Sequence, residues 1–314
     1  MSCKDKLADA PNPTPTADAT SASAVDAARY RADVEFIAKV RPPGSAHWQA
    51  TQDRCAQAFT AAGLDVSRQD YGSGVNVLGE LRGTSAPDEI VLLGAHYDSL
   101  PDCPGADDNA SGVAAVLEIA RVLGARRPAR TLLFACWDEE ETGLVGSSAF
   151  VATLAAPRRL VGHYNFEMIA FASQSPNTQT IPPGFNQIFP AQVAALEANQ
   201  RKADFIALVA DVASAQAAAT LAEQAVAVGL PVQRLDVPEN LKTSTLLSNL
   251  RRSDHASFWD RNLPGIMVTD TADFRNPNYH CSSGTDTLAT LNFDFAVKVV
   301  RATAAAALVL AGGS

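Results

Sequence analysis

Cysteine is scarce. The 314 residues hold five (Cys3, Cys55, Cys103, Cys136 and Cys281), with no Cys-x-x-Cys pair. They are too few and too scattered for a disulfide framework, and Cys136, inside an apolar run, reads as a small core residue. Positive charge is also short: 25 Lys and Arg face 34 Asp and Glu, for a net charge of −9. A general nucleic-acid binder needs a basic face, so that class is disfavoured. The acidic balance weakly favours neutral or cationic ligands. No uninterrupted apolar stretch reaches the ~18 residues of a membrane-crossing helix. The apolar run from Phe293 to Leu310 is broken by Asp294, Lys298 and Arg301 and reads as a buried amphipathic helix. A Gly-x-Ser-x-Gly nucleophile elbow is missing too, as is any internal repeat.

What is present is a chain rich enough in apolar residues, 47%, for one large core or two small ones. Residues 1–25 stand apart. Pro, Ala, Thr and Ser dominate them, and such a composition cannot bury a core, so a disordered tether is expected. Cys3 opens it. A Cys followed by a polar tether is what a bacterial lipoprotein keeps once its signal peptide is removed. On that reading the protein is exported, with Cys3 the place for a lipid anchor; the alternative is a cytosolic protein with a ragged N-terminus.

Residues 26–314 read as a single domain. Helices are expected near 26–38 and 46–63, then strands near 65–70 and 75–82. Ile90-Val-Leu-Leu93 and Thr131-Leu-Leu-Phe-Ala-Cys136 are continuous apolar runs, the pattern of strands covered on both faces. Val113, Val116, Leu117, Ala120 and Leu123 recur at helical spacing. A helix near 144–153 precedes a strand ending near Glu167, and further strands fall near 205–209, 231–236 and 265–268. Strand and helix in alternation predict a three-layer α/β/α sandwich with a mixed, mainly parallel sheet. Residues 171–190, with Pro176, Pro182, Pro183 and Pro190, read as one long loop, and a loop of that length in a compact domain is usually functional. Its Phe185, Ile188 and Phe189 are candidates to wall an apolar pocket.

Ligands of open α/β sheets sit beyond the carboxyl ends of the strands. His96 follows the strand at 90–93, Glu140-Glu141 follow the strand ending near Cys136, and Glu167 ends the next. Asp107 and Asp108 lie in a Gly-led turn before a helix, and His280 lies further on. Taken singly, each has an ordinary explanation: a Glu-Glu pair on a loop is solvated surface, a His after a strand is a satisfied core residue, and an Asp before a helix is a cap. The set arriving in order at strand ends points instead to a hydrolytic site with two metal ions and one spare Glu. Asp98, two residues from His96 on the same side of an extended chain, is placed to take the ring N–H of His96 and fix its tautomer. His47 and His163 read as structural, and His255 as ambiguous. Cys103 and Cys281 each fall near a proposed ligand, which leaves a disulfide between them open.

The motifs His96-Tyr-Asp98, Gly105-Ala-Asp-Asp-Asn-Ala-Ser-Gly112, Glu140-Glu-Thr-Gly-Leu-Val-Gly-Ser147, Asn165-Phe-Glu-Met168, Ser253-Asp-His-Ala-Ser257 and Tyr279-His280 resemble those of the co-catalytic di-zinc exopeptidases. That family includes bacterial leucyl aminopeptidases, glutamate carboxypeptidase and glutaminyl cyclase, and the resemblance runs from about Asn76 to Leu291. It implies that Asp107 bridges two Zn²⁺ ions, with His96 and Glu167 completing one site and Glu141 and His280 the other. It also implies Glu140 as general base. Aminopeptidase-type members commonly carry Asp where this chain has Glu167. A set of two His and three carboxylates suits Zn²⁺, with Co²⁺ or Mn²⁺ as substitutes. The expected reaction is hydrolysis of a peptide or aminoacyl substrate by an aminopeptidase. A carboxypeptidase would need an Arg such as Arg251, Arg252 or Arg275 near the site. A glutaminyl cyclase, which would use a single zinc and lacks the Glu-Glu-x-Gly-Leu-x-Gly-Ser form seen here, fits less well, and so does a non-catalytic binding module, because all five ligands and Glu140 are present.

Overall fold

The computed structural model describes residues 19–313. The chain opens with three helices, α1 (Ala19–Ala24), α2 (Ala27–Ile37) and α3 (Ala46–Ala61), followed by β1 (Asp65–Asp70), β2 (Val75–Leu81) and β3 (Ala86–His96). Then come α4 (Gly112–Leu123), β4 (Arg130–Trp137), α5 (Val145–Thr153) and β5 (Arg159–Glu167). The second half holds α6 (Phe185–Ile188), α7 (Pro190–Ala198), β6 (Ile206–Ala210), α8 (Ala215–Ala227), β7 (Val232–Asp236), α9 (His255–Trp259), β8 (Ile266–Thr269) and α10 (Phe293–Leu310).

Local chemistry explains where the helices start. Asp26 accepts the backbone N–H groups of Ala28 and Arg29 at the head of α2, Ser45 accepts Trp48 N at the head of α3, and Asn292 accepts Phe295 N at the head of α10. Each cap satisfies N–H groups that the first turn leaves without partners.

The eight strands form one sheet in the order β1-β2-β4-β3-β5-β8-β6-β7. The pairs β3–β4, β3–β5, β5–β8 and β6–β7 are parallel; β1–β2, β2–β4 and β6–β8 are antiparallel. The sheet is therefore mixed and mostly parallel, with helices on both faces. The alternation of strand side chains splits the core in two. Val91 and Leu93 of β3 and Leu132, Phe134 and Cys136 of β4 face the layer holding α2, α3, α4, α8 and α10. Ile90, Leu92, Leu133, Ala135 and Trp137 face Phe150 and Val151 of α5 and Phe258 of α9. Because β3, β4, β5 and β8 run the same way, their carboxyl ends share one edge, and the candidate residues collect there.

Two expectations need adjustment. Most of the tether expected over 1–25, with Cys3, lies outside the described residues. Its last part is helix α1, with Ala22 buried and Val25 in the core, so ordered structure begins before residue 26. The loop expected over 171–190 is irregular only to Gly184; α6 follows, and Pro190 opens α7, where its missing N–H costs nothing. Phe185 and Phe189 are buried against Val209, Leu250, Trp259 and Met267, which is why this stretch holds a fixed course. No helix among the described residues is long and apolar enough to cross a membrane.

Candidate active site

Strand β3 ends at His96, which is almost fully buried. Its Nδ1 lies 3.4 Å from Asp98 Oδ1. Its Nε2 looks into the site, 3.3 Å from Asp108 Oδ1, 3.4 Å from Glu167 Oε2 and 3.9 Å from Glu140 Oε2. His280, 35% exposed, approaches from the other side, with Nε2 3.4 Å from both Asp108 Oδ2 and Glu141 Oε2. Asp108 thus presents one oxygen to each imidazole. Two groups of three have ligand atoms close enough to hold a metal ion: His96, Glu140 and Glu167, and Asp108, Glu141 and His280. Both ring nitrogens of His96 and Oδ1 of Asp108 are buried without a hydrogen-bond partner. Buried polar atoms left in that state are costly unless something charged satisfies them, and a divalent cation held by imidazole and carboxylate fits that need.

Asp107, the aspartate that the resemblance made the bridge, is not in either group. Asp107, fully buried, turns away from the histidines. Its Oδ1 accepts Ala170 N at 2.9 Å and its Oδ2 accepts Asn276 Nδ2 at 2.9 Å. It braces the turn, and Asp108 faces the imidazoles. Neighbouring side chains on a nearly extended backbone diverge, and Asp108 has φ −99° and ψ 92°. Gly105 makes the turn feasible: it sits at φ +57°, and a Cβ there would come within 1.9 Å of Asp108 O.

The acidic run after β4 divides in the same way. Asp138 accepts Trp48 Nε1 at 2.7 Å and Val75 N at 2.9 Å, and Glu139 accepts Ser73 Oγ. Both are used by the scaffold. Glu140 and Glu141 enter the site, held by Asp98, whose two oxygens accept their backbone N–H groups at 3.1 Å each. Asp98 therefore lies beside the His96 ring and fixes the Glu-Glu turn as well. Glu167 Oε2 accepts Ser253 Oγ at 2.7 Å, and Ser253 in turn accepts Asn165 Nδ2.

The crowd of carboxylates shows in their proton affinities. Burial raises Glu140 well above the usual carboxylate range, and Glu167, Asp254 and Glu141 add to this while His96 opposes it. Burial, with Asp108 nearby, pushes Glu141 up to about 9. Burial also acts on Asp108, but the closeness of His280 and His96 outweighs it and lowers that carboxyl. Burial would lower His96, yet the surrounding carboxylates, Glu140 first, raise it. A site that draws protons this strongly is one in which added positive charge is favoured.

Sequence reading missed the supporting residues. Asp286 accepts the N–H groups of Asp107 and Asp108, Asp270 accepts Phe171 N, and Arg41 lies beneath the Asp108 turn. No motif marked them, because the bonds that tie each to the site run to backbone groups distant in sequence. Cys103 and Cys281 form a disulfide, which ties the loop carrying His280 to the loop after β3. His163 packs on Phe258, and His255 contacts Leu250 O; both are fully buried, outside the two groups that face one another, and His47 is also remote from them.

A mostly parallel α/β sheet thus gathers at its carboxyl edge two histidines and a set of crowded carboxylates whose ligand atoms could hold metal ions. The chain belongs to peptidase family M28, whose model matches residues 76–307. It is 30% identical over 289 residues to uncharacterized protein YfbL of Escherichia coli K12, a match covering 85% of this chain and 83% of that one. It is 41% identical over 122 residues to the probable lipoprotein aminopeptidase LpqL of Mycobacterium tuberculosis, covering 38% of this chain but only 23% of that protein. Its fold is similar to that of the Legionella pneumophila LapA aminopeptidase, with a TM-score of 0.68, 18% identity, and coverage of 93% of this chain and 74% of that one.

Proposed function

We propose that the protein is a metal-dependent aminopeptidase with two Zn²⁺ sites sharing Asp108. The observation that carries this is Asp108 itself, whose two oxygens lie 3.3 and 3.4 Å from two different imidazoles. On this reading His96 and Glu167 complete one site, Glu141 and His280 complete the other, and Glu140 remains free as the general base. Glu140 is the more loosely placed of the groups around His96, at 3.9 Å against 3.3 and 3.4 Å for Asp108 and Glu167. Divalent ions bound in this way lower the pKa of water and polarise the peptide carbonyl. Glu140 takes a proton from the attacking water as its oxygen bonds to the carbonyl carbon, and passes that proton to the amine nitrogen as the C–N bond breaks. Asp98 holds the Glu140–Glu141 backbone through its two oxygens and lies 3.4 Å from His96 Nδ1, beside the ring.

Beside Glu167 lies a cavity of about 80 Å³ lined mainly by apolar groups, among them Phe185, Phe189, Val209, Leu235 and Met267. It suits a large apolar side chain on the residue being released. Two of the three arginines available to a carboxypeptidase are engaged elsewhere. Arg251 pairs with Asp260, and Arg275, buried, donates to Phe205 O. Arg252 borders the cavity but pairs with Asp273 and lies over the Tyr279 ring. The acidic site and these engagements support recognition of a free α-amine. The Cys103–Cys281 disulfide supports an oxidising compartment, as would suit an exported protein.

The test combines metal analysis with a substrate panel. Wild-type protein should bind two metals, lose activity to a chelator and regain it with Zn²⁺. It should cleave aminoacyl substrates with large apolar residues and leave N-blocked peptides intact. Glu140→Gln should keep its metal and lose at least ~10²-fold in rate. One metal or none in fully loaded protein overturns the two-site reading, and cleavage of N-blocked peptides alone overturns the aminopeptidase reading.

A further inference from the structure

Arg41 lies outside the residues matched to the family, in the turn between α2 and α3, and is fully buried. Its side chain lies under the site. Nε donates to Tyr97 O at 2.7 Å, between His96 and Asp98. Nη1 donates to Pro104 O, Lys39 O and Ile37 O. Nη2 donates to Gly105 O at 3.1 Å and Asp108 O at 3.4 Å. The backbone reinforces this arrangement: Arg41 N donates to Ser99 Oγ at 3.0 Å, and Ser99 N donates to Arg41 O at 3.3 Å. One guanidinium therefore ties the strand end that carries His96 to the turn that carries Asp108. Those two side chains face each other at 3.3 Å. Every acceptor is a main-chain carbonyl, so what the fork holds is backbone position.

We propose that Arg41 is a positioning residue for the metal centre: it sets the spacing between His96 and Asp108 and supplies a buried positive charge beneath the carboxylates. The inference rests on the two-site reading above. Asp108, Asp98, Asp286 and Glu141 are the acidic groups that act on it electrostatically. A carbonyl that loses its buried donor bears a desolvation cost, so removing the fork frees the Asp108 turn to shift. Lysine cannot replace it, since its three donors leave from one point and cannot span Tyr97, Pro104 and Asp108 together.

The experiment compares wild type, Arg41→Lys and Ser99→Ala. Zn²⁺ affinity is measured by competition with a chromophoric chelator, melting temperature with and without Zn²⁺, and kcat and KM on an aminoacyl substrate. Groups that orient metal ligands typically govern about 10–100-fold in affinity or activity. Arg41→Lys should therefore bind Zn²⁺ at least ~10-fold more weakly, with kcat falling and KM nearly unchanged. The stabilisation gained on adding Zn²⁺ should shrink. Ser99→Ala, which loosens the anchor and keeps the guanidinium, should shift the same quantities in the same direction by less, and it decides the matter if Arg41→Lys does not fold. A purely structural role would lower both melting temperatures equally and leave Zn²⁺ affinity at the wild-type value; that result overturns the proposal. Wild-type protein that itself binds no Zn²⁺ refutes the functional reading instead, so the two failures are distinct.

Discussion

Replacing each of the adjacent aspartates Asp107 and Asp108 by asparagine separates the bridging role from the bracing role. Asp108→Asn keeps shape and burial but turns one of two imidazole-facing oxygens into an amide that donates. That group would point at an imidazole from 3.3 or 3.4 Å, and the negative charge shared by the two groups would be gone. Supporting residues around metal ligands already govern about 10–100-fold in affinity, so loss of the shared carboxylate should exceed that and empty both sites together. Asp107→Asn acts elsewhere. It weakens the bonds from Ala170 N and Asn276 Nδ2, both 2.9 Å and buried. A buried donor left without its acceptor costs about 1–3 kcal/mol, so the variant should melt several degrees lower while still binding two metals per chain. Metal content is read by elemental analysis after gel filtration, and stability by thermal unfolding of the chelated proteins. If Asp107→Asn emptied both sites while Asp108→Asn stayed loaded, the assignment of the turn would be reversed.

Two further outcomes are expected. Replacing Cys103 and Cys281 by serine releases the loop carrying His280, which is 35% exposed and otherwise steadied by stacking on Tyr279 at 3.7 Å. One metal should then be lost preferentially and stability should fall by about 2–4 kcal/mol; two metals bound with wild-type affinity would count against the loop's dependence on the disulfide. The second outcome concerns pH. Burial raises Glu141 to about 9, Asp254 and Asp286 to about 7, and Asp270 to about 6. A carboxyl whose folded pKa lies above its unfolded value, about 4, contributes stability fully below the unfolded pKa and loses it as pH rises through the folded one. Metal-free protein should therefore melt lower as pH rises from about 4 to about 9, and the gain on adding Zn²⁺ should grow across that window. A melting temperature of the metal-free protein that rises with pH would refute this account.

Much of the architecture was legible in the chain because its signals are local. The apolar runs at 90–93 and 131–136 are buried on both faces of β3 and β4, since only a covered parallel strand tolerates such a run. The helices at 27–37, 46–61 and 293–310 fall close to the stretches expected for them, and a side-chain cap found in the structure begins each. The order in which His96, Glu140, Glu141 and Glu167 follow strands could be read for the same reason, because parallel strands deliver their carboxyl ends to one edge. What the sequence could not decide was direction. Asp107 and Asp108 are chemically identical neighbours, as are Glu139, Glu140 and Glu141. Which of them faces the metal-competent histidines depends on backbone torsions and on distant partners: Ala170 and Asn276 claim Asp107, and Ser73 claims Glu139. Arg41, Asp270 and Asp286 carry no local signature because they bond to main-chain groups, and any long-range main-chain partner is invisible until the chain has folded. Periodicity and residue chemistry set the sheet, its helices and the edge where the acids gather, whereas only tertiary contacts chose which carboxylate of each adjacent set turned inward.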